Sequence, residues 1–211
     1  MKKATYFLII LLTIAYGCQK TDIPQNQPVP AGVQTTGWIF VENGAGETFT
    51  INWDADVLYG NAVDSFDLDN NGVYDIEFQL NVINPDSSHL LVGTPNPFPN
   101  FRAIGKNGVT IASISHSEYV GLGQTTTNYF VKNLNLGNDI TKEKLWRGTA
   151  PLWQENPVGW YPGPWTGVEQ SYYLAFRRME QFGNTYFPKY GWIEIDCTVL
   201  NNPKLVRWAV Q

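Results

Sequence analysis

The sequence predicts an all-β chain folded as a single antiparallel β-sandwich of jelly-roll type, and three observations predict it. Apolar residues recur with period two along most of the chain, as where Tyr74, Ile76, Phe78, Leu80 and Val82 alternate with Asp75, Glu77, Gln79 and Asn81. Period two puts one set of side chains on a buried face and the other in water, which is the pattern of a half-buried strand. The runs are rich in β-branched and aromatic residues, which fit a pleated surface. Clusters of Gly, Pro and Asn separate them, and only 139–146 hints at a helix, a short one.

Taken in order, the first strand sets Phe49, Ile51 and Trp53 between Thr48, Thr50 and Asn52, and the run from Tyr74 to Val82 follows. Asn84-Pro85-Asp86 stops that run, and 95–99 opens and closes on proline. Further strand-like runs are Val109-Thr110-Ile111, 128–136, 171–179, 191–200 and 205–210. Asn201-Asn202-Pro203 turns the chain into the last of these, which is expected to pair inside a sheet. Many short strands without intervening helices point to two packed antiparallel sheets.

The N-terminus gives an address. Lys2 and Lys3 precede an apolar stretch over 4–15, and Ala15-Tyr16-Gly17 leads into Cys18. The stretch is too short to span a bilayer core of about 30 Å. It resembles a bacterial lipoprotein signal, which implies cleavage after Gly17 and acylation of Cys18. Gln19-Lys20-Thr21-Asp22 is similar to the Cys-Gln-Lys-acidic signal that sends some lipoproteins to the outer face of the outer membrane. Residues 22–33 carry three prolines with Gln and Asn, and read as an extended tether. The expected organisation is a signal over 1–17, an acylated tether over 18–33 and a β-sandwich over 34–211.

Charge narrows the partners. Net charge is −5 from 14 basic and 19 acidic residues, and loss of Lys2 and Lys3 with the signal leaves 12 against 19, or −7. An acidic chain is a poor match for a phosphate backbone, so nucleic acid is not an expected partner. The lipid, not a basic patch, would hold the protein at the membrane. With Cys18 acylated, Cys197 has no disulfide partner, and its place beside Ile193 and Ile195 on an alternating run predicts a small buried hydrophobe.

The strongest chemical motif is Asp67-Leu68-Asp69-Asn70-Asn71-Gly72-Val73-Tyr74-Asp75. Side-chain oxygens fall at positions one, three, five and nine, glycine stands at six, and Val73 offers a carbonyl at seven. Calcium takes six to eight hard oxygens, and this spacing curls alternate side chains toward one point. Asp67, Asp69, Asn71, Val73 and Asp75 are therefore the expected calcium ligands. Position twelve is Phe78, where an EF-hand has a bidentate Glu, so the helical version is excluded. A metal-free turn remains the other reading, because Asn, Asp and Gly favour turns without an ion. The motif resembles the calcium loops between β-strands in integrin-type repeats and related secreted β-proteins.

A wider resemblance combines residues 66–78, Tyr173-Leu174-Ala175-Phe176-Arg177 and Tyr190-Gly191-Trp192-Ile193-Glu194-Ile195. It is similar to a group of uncharacterised secreted bacterial β-proteins, and implies an anchored β-domain with no established activity.

Four of the eight tryptophans, Trp146, Trp153, Trp160 and Trp165, lie with Tyr161 in one proline-braced stretch. Two outcomes are open for these rings. They cap one end of the sandwich, or some of them, with Trp153, Trp160, Tyr161 and Trp165 as candidates, form a platform that stacks on sugar rings. An enzyme is the weakest expectation. Glu194-Ile195-Asp196 resembles the start of the Glu-x-Asp-x-x-Glu strand of jelly-roll β-glucanases, but Thr198 stands where the second carboxylate belongs. The sequence thus predicts a calcium-stabilised surface binding module, with a glycan as candidate partner and a purely structural or adhesive lipoprotein as the alternative.

Overall fold

The computed structural model describes residues 28–49, 51–53, 59–83, 100–121, 124–154, 162–199 and 202–211. The larger sheet runs β1 (Ile39–Thr48), β12 (Lys204–Val210), β11 (Thr185–Asp196), β10 (Tyr172–Phe182), β6 (Val109–Gly121) and β7 (Gln124–Val131), with β8 (Trp146–Arg147) also on β6. The smaller runs β2 (Asn52–Trp53), β3 (Tyr59–Phe66), β4 (Ile76–Ile83), β5 (Asn100–Gly105) and β9 (Thr149–Gln154). All strand pairs are antiparallel. Most sheet neighbours follow one another in sequence, so β2 to β5 and β10 to β12 are meanders. The expected short helix is a single 3-10 turn at Ile140–Lys142. Among the described residues no helix is long and apolar enough to cross a membrane.

Alternation decides which face of β4 is buried. Ile76, Phe78, Leu80 and Val82 are fully buried, while Glu77, Gln79 and Asn81 keep partial exposure. Across the layer gap they share one core with Leu174, Phe176, Ile193, Ile195 and Leu205 of the larger sheet. Phe66 of β3 meets Trp208 of β12 edge-on at 6.1 Å, which joins the layers directly. Burial of each such side chain contributes about 1.5–3 kcal/mol. As expected, β12 lies inside its sheet, between β1 and β11.

Strand bounds differ from the sequence pattern in several places. The first expected run, 48–53, holds the end of β1 and the two-residue β2, and the run over 128–136 stops at Val131. The rest of β1, with β3, β5 and β9, falls outside the expected runs. Tyr74 falls before β4 and is exposed, because the loop preceding the strand is pinned by its own side chains. The run expected over 191–200 stops at Asp196, whose carboxylate accepts from Thr198 N and Oγ1 and turns the chain. Cys197 is buried as expected, and desolvation pushes its thiol far up. Val199, beyond the strand's end, is exposed.

The larger sheet is covered on its other face too. Phe40, Ala209, Trp192 and Ala175 are cross-strand partners in one row, and Ala112 pairs with Trp146. The alanines leave shallow space that Val29, Ala31, Leu134 and Ile140 fill. Residues 29–33, assigned to the tether from composition, are therefore corrected to part of the folded domain. Asp139 fixes them: its Oδ1 accepts from Val29 N at 3.1 Å and from Thr141 N and Oγ1. At Gly32 the backbone has φ +74°, and a Cβ there would sit 2.4 Å from the Tyr173 ring.

Partial burial raises the Asp139 carboxyl, but bonds from Thr141 and Val29 and the charge of Lys142 outweigh it and hold the group below its ordinary 3.8. A lowered carboxylate stabilises the fold above its unfolded value and loses that contribution as pH falls through the folded one. The melting-temperature gap between wild type and Asp139→Ala should therefore be full above pH 3.8 and close progressively below it. A gap unchanged from pH 6 to pH 2.5 would refute this assignment.

Candidate metal loop and the cleft beside it

The loop from β3 to β4 curls because its side chains take over hydrogen bonds that a strand would have supplied. Asp67 accepts from Asn71 N at 3.0 Å and Gly72 N at 2.6 Å, and Asn71 Oδ1 accepts from Val73 N at 2.8 Å. Asn70 and Gly72 take left-handed backbone at φ 56° and 86°. Leu68 is buried in the core and anchors the loop from within. Asp75, 3% exposed, closes it by accepting from Leu68 N at 2.9 Å, while its own N–H donates to Phe66 O at 2.8 Å.

This folding brings one carboxylate oxygen each of Asp67, Asp69 and Asp75 within 4.8 Å of one another. Arg178 of β10 answers part of their charge. Its guanidinium donates to Asp75 Oδ1 at 2.9 Å and to Asp69 Oδ2 at 2.5 Å. It also reaches Glu180 at 3.2 Å, which is paired in turn with Lys189 at 2.9 Å. Burial pushes Asp75 up. Burial pushes Asp69 up as well, but the Arg178 hydrogen bond and charge prevail and bring that carboxyl down.

The donor set fits a hard divalent cation. Asp69 Oδ1 is buried and without a hydrogen-bond partner, the one loop carboxylate oxygen so placed among the described residues. Each carboxylate oxygen has two lone-pair directions, so oxygens that accept one backbone N–H keep a second for a metal. Three carboxylates against one guanidinium leave two negative charges, the charge one calcium ion balances. Asn71 and Val73 lie within the same turn, with Asn71 Oδ1 engaged by Val73 N.

Arg178 was not among the residues the motif pointed to. Its signal is positional: it continues the inward-facing set Leu174 and Phe176 on β10, where a charge on that face needs a counter-charge.

Beside the loop lies an open cleft of about 460 Å³. The turn after β5 forms its second wall, tied to the loop by Lys106 N donating to Asp75 O at 2.7 Å and Asn107 Nδ2 donating to Tyr74 O at 2.7 Å. Lys106 Nζ pairs with Glu77 Oε2 at 2.9 Å, and Gln79 Nε2 donates to Glu77 Oε1 at 2.8 Å. These two bonds hold the Glu77 carboxyl below its ordinary range.

The tryptophan expectation divides. Trp153, on β9, is 3% exposed and Trp165 is fully buried, with Nε1 donating to Val131 O at 2.9 Å. Both are corrected from candidate stacking platforms to core caps, the other outcome open for them. Trp160, Tyr161 and Cys18 lie outside the described residues. Glu194 is engaged by Arg207 Nε at 2.6 Å, and Asp196 by Thr198, so their hydrogen bonds serve the sheet and its turn. Comparison with known families, with curated proteins and with solved structures finds no match to this chain.

Proposed function

We propose that this protein is a lipid-anchored binding module of the outer cell surface whose β-sandwich is clamped by calcium at Asp67, Asp69, Asn71, Val73 and Asp75. The observation that carries the calcium reading is the convergence of three carboxylates around the partnerless Asp69 Oδ1. The residues divide the work. Asp67 and Gly72 set the curl, Asp75 ties it to Leu68, and Asp69 offers the open oxygen. When bound, the ion supplies the positive charge that Arg178 alone does not. The Cys18 motif supports the anchor, and the acidic balance supports a partner other than nucleic acid.

A specific observation favours a second reading: Arg178 already bridges Asp69 and Asp75, so the loop holds together as a metal-free ion-pair clamp. Calcium titration separates the two. Extracellular calcium modules bind with Kd of roughly 10⁻⁴–10⁻³ M. At free calcium of about 100 Kd, linkage adds about 2.7 kcal/mol to stability. Chelation should lower the melting temperature accordingly, and Asp69→Asn should erase the difference between calcium and chelator. Superimposable melting curves with and without calcium would leave the ion-pair clamp and overturn the calcium reading.

A further inference from the structure

We infer that the cleft between the metal loop and the β5–β6 turn is the ligand site of this module, and that it takes a neutral glycan. This rests on the binding-module reading proposed above, and names its ligand class and its residues; it does not depend on the calcium. Tyr74 supplies the apolar surface. The residue is 61% exposed, yet its backbone is held on both sides, by Asn107 Nδ2 on its carbonyl and by the Asp75 N–H to Phe66 O. An exposed ring on a fixed backbone loses little freedom when a partner stacks on it. The flat C–H face of a pyranose matches such a ring.

The polar groups around the ring match hydroxyls. Glu77 Oε2 and Lys106 Nζ stand 2.9 Å apart, a paired acceptor and donor that a vicinal diol satisfies by donating to one and accepting from the other. Ser65 is the cross-strand partner of Glu77 and lines the same cleft. The cleft volume of about 460 Å³ falls in the range of small-ligand sites, and its few convergent polar groups are what fix orientation there. Glu77 and Lys106 cancel, while the adjacent loop keeps a negative excess, so an anionic sugar is repelled and a neutral one is not.

The surface beyond the cleft continues the same chemistry. On the outward face of the smaller sheet, Gln79 pairs with Val63 and Arg102, and the next row is Asn61, Asn81, Asn100 and Gln154. Asn81 Nδ2 already reaches Asn100 Oδ1 at 3.4 Å. From Glu77 to Asn81 the strand advances about 14 Å, so Gln79 and the amide row beyond it extend the cleft to an oligosaccharide rather than one sugar. Amides donate and accept at once, as sugar hydroxyls require.

The test uses the full-length protein, purified in detergent, on a printed array of neutral polysaccharides (glucans, mannans, galactans, xylans) beside acidic ones (polygalacturonate, hyaluronan). Binding to at least one neutral polymer is expected. Tyr74→Ala should weaken it about tenfold or more, and Tyr74→Phe should restore it, with the melting temperature unchanged in both. Lys106→Met should weaken it too, because the carboxylate then faces the diol alone. Failure to bind any polymer on the array would overturn the glycan-binding module and this site with it. Neutral binding that Tyr74→Ala leaves intact would overturn this site and spare the module. Binding confined to the acidic polymers would overturn the neutral-glycan assignment.

Discussion

Trp165→Ala is expected to cost about 3–5 kcal/mol, the range for deleting a large aromatic from a core. The ring has no exposed surface, and its edge meets Tyr172 at a centroid distance of 6.1 Å. Truncation opens a cavity and also strands the Val131 carbonyl, which now accepts the indole N–H. For a chain of this size the melting temperature should fall by roughly 6–20 °C. Trp165→Phe keeps most of the volume and loses only the hydrogen bond and part of the ring, so its loss should be distinctly smaller. Denaturant melts of the three proteins decide the matter. An exposed platform would change stability by no more than about 0.5 kcal/mol, and a value near that would return Trp165 to the surface.

The contrast between Trp165 and Tyr74 shows where sequence reading runs out. Both are aromatic residues in loops within two residues of a proline or glycine, and nothing local separates a ring that caps a core from one that faces water. The difference is made by partners far along the chain: Val131 for Trp165, Asn107 for Tyr74. Alternation on β4 and the placing of β12 were legible because period two records burial directly. The Asp67–Asp75 curl was legible as well, since its hydrogen bonds lie within a few residues of one another. The packing of Val29 and Ala31 was not. A proline-rich stretch reads as a tether until a row of alanines on a distant sheet leaves space for two small side chains. Arg178 belongs to the same class, because its acids lie more than a hundred residues earlier.

Arg178→Ala should destabilise the fold by about 3 kcal/mol in the absence of calcium. Removing one partner of a buried ion pair costs about 3–5 kcal/mol because the other charge stays behind. The lower end applies, since Arg178 keeps 22% of its side chain exposed while Asp75 keeps 4%. The loss should be strongly coupled to Asp75. In a double-mutant cycle with Asp75→Asn, the interaction energy should exceed about 1 kcal/mol, because the second change removes the charge the first one stranded. Additive losses would show that Arg178 does not act through Asp75 and leave Asp69 and Glu180 as its partners. Without the guanidinium, Asp69 and Asp75 lose the positive charge that lowers both, and their folded carboxyls move up. A raised carboxyl favours the folded state when protonated, so Arg178→Ala should gain stability as pH falls from 7 toward 5, where wild type gains less. Calcium adds the last discrimination. If the loop takes the ion, Arg178→Ala should show a larger stabilisation by calcium than wild type, since two positive groups no longer share the same oxygens. If Arg178 is the only cation the loop holds, calcium should leave the variant as unstable as the chelator does.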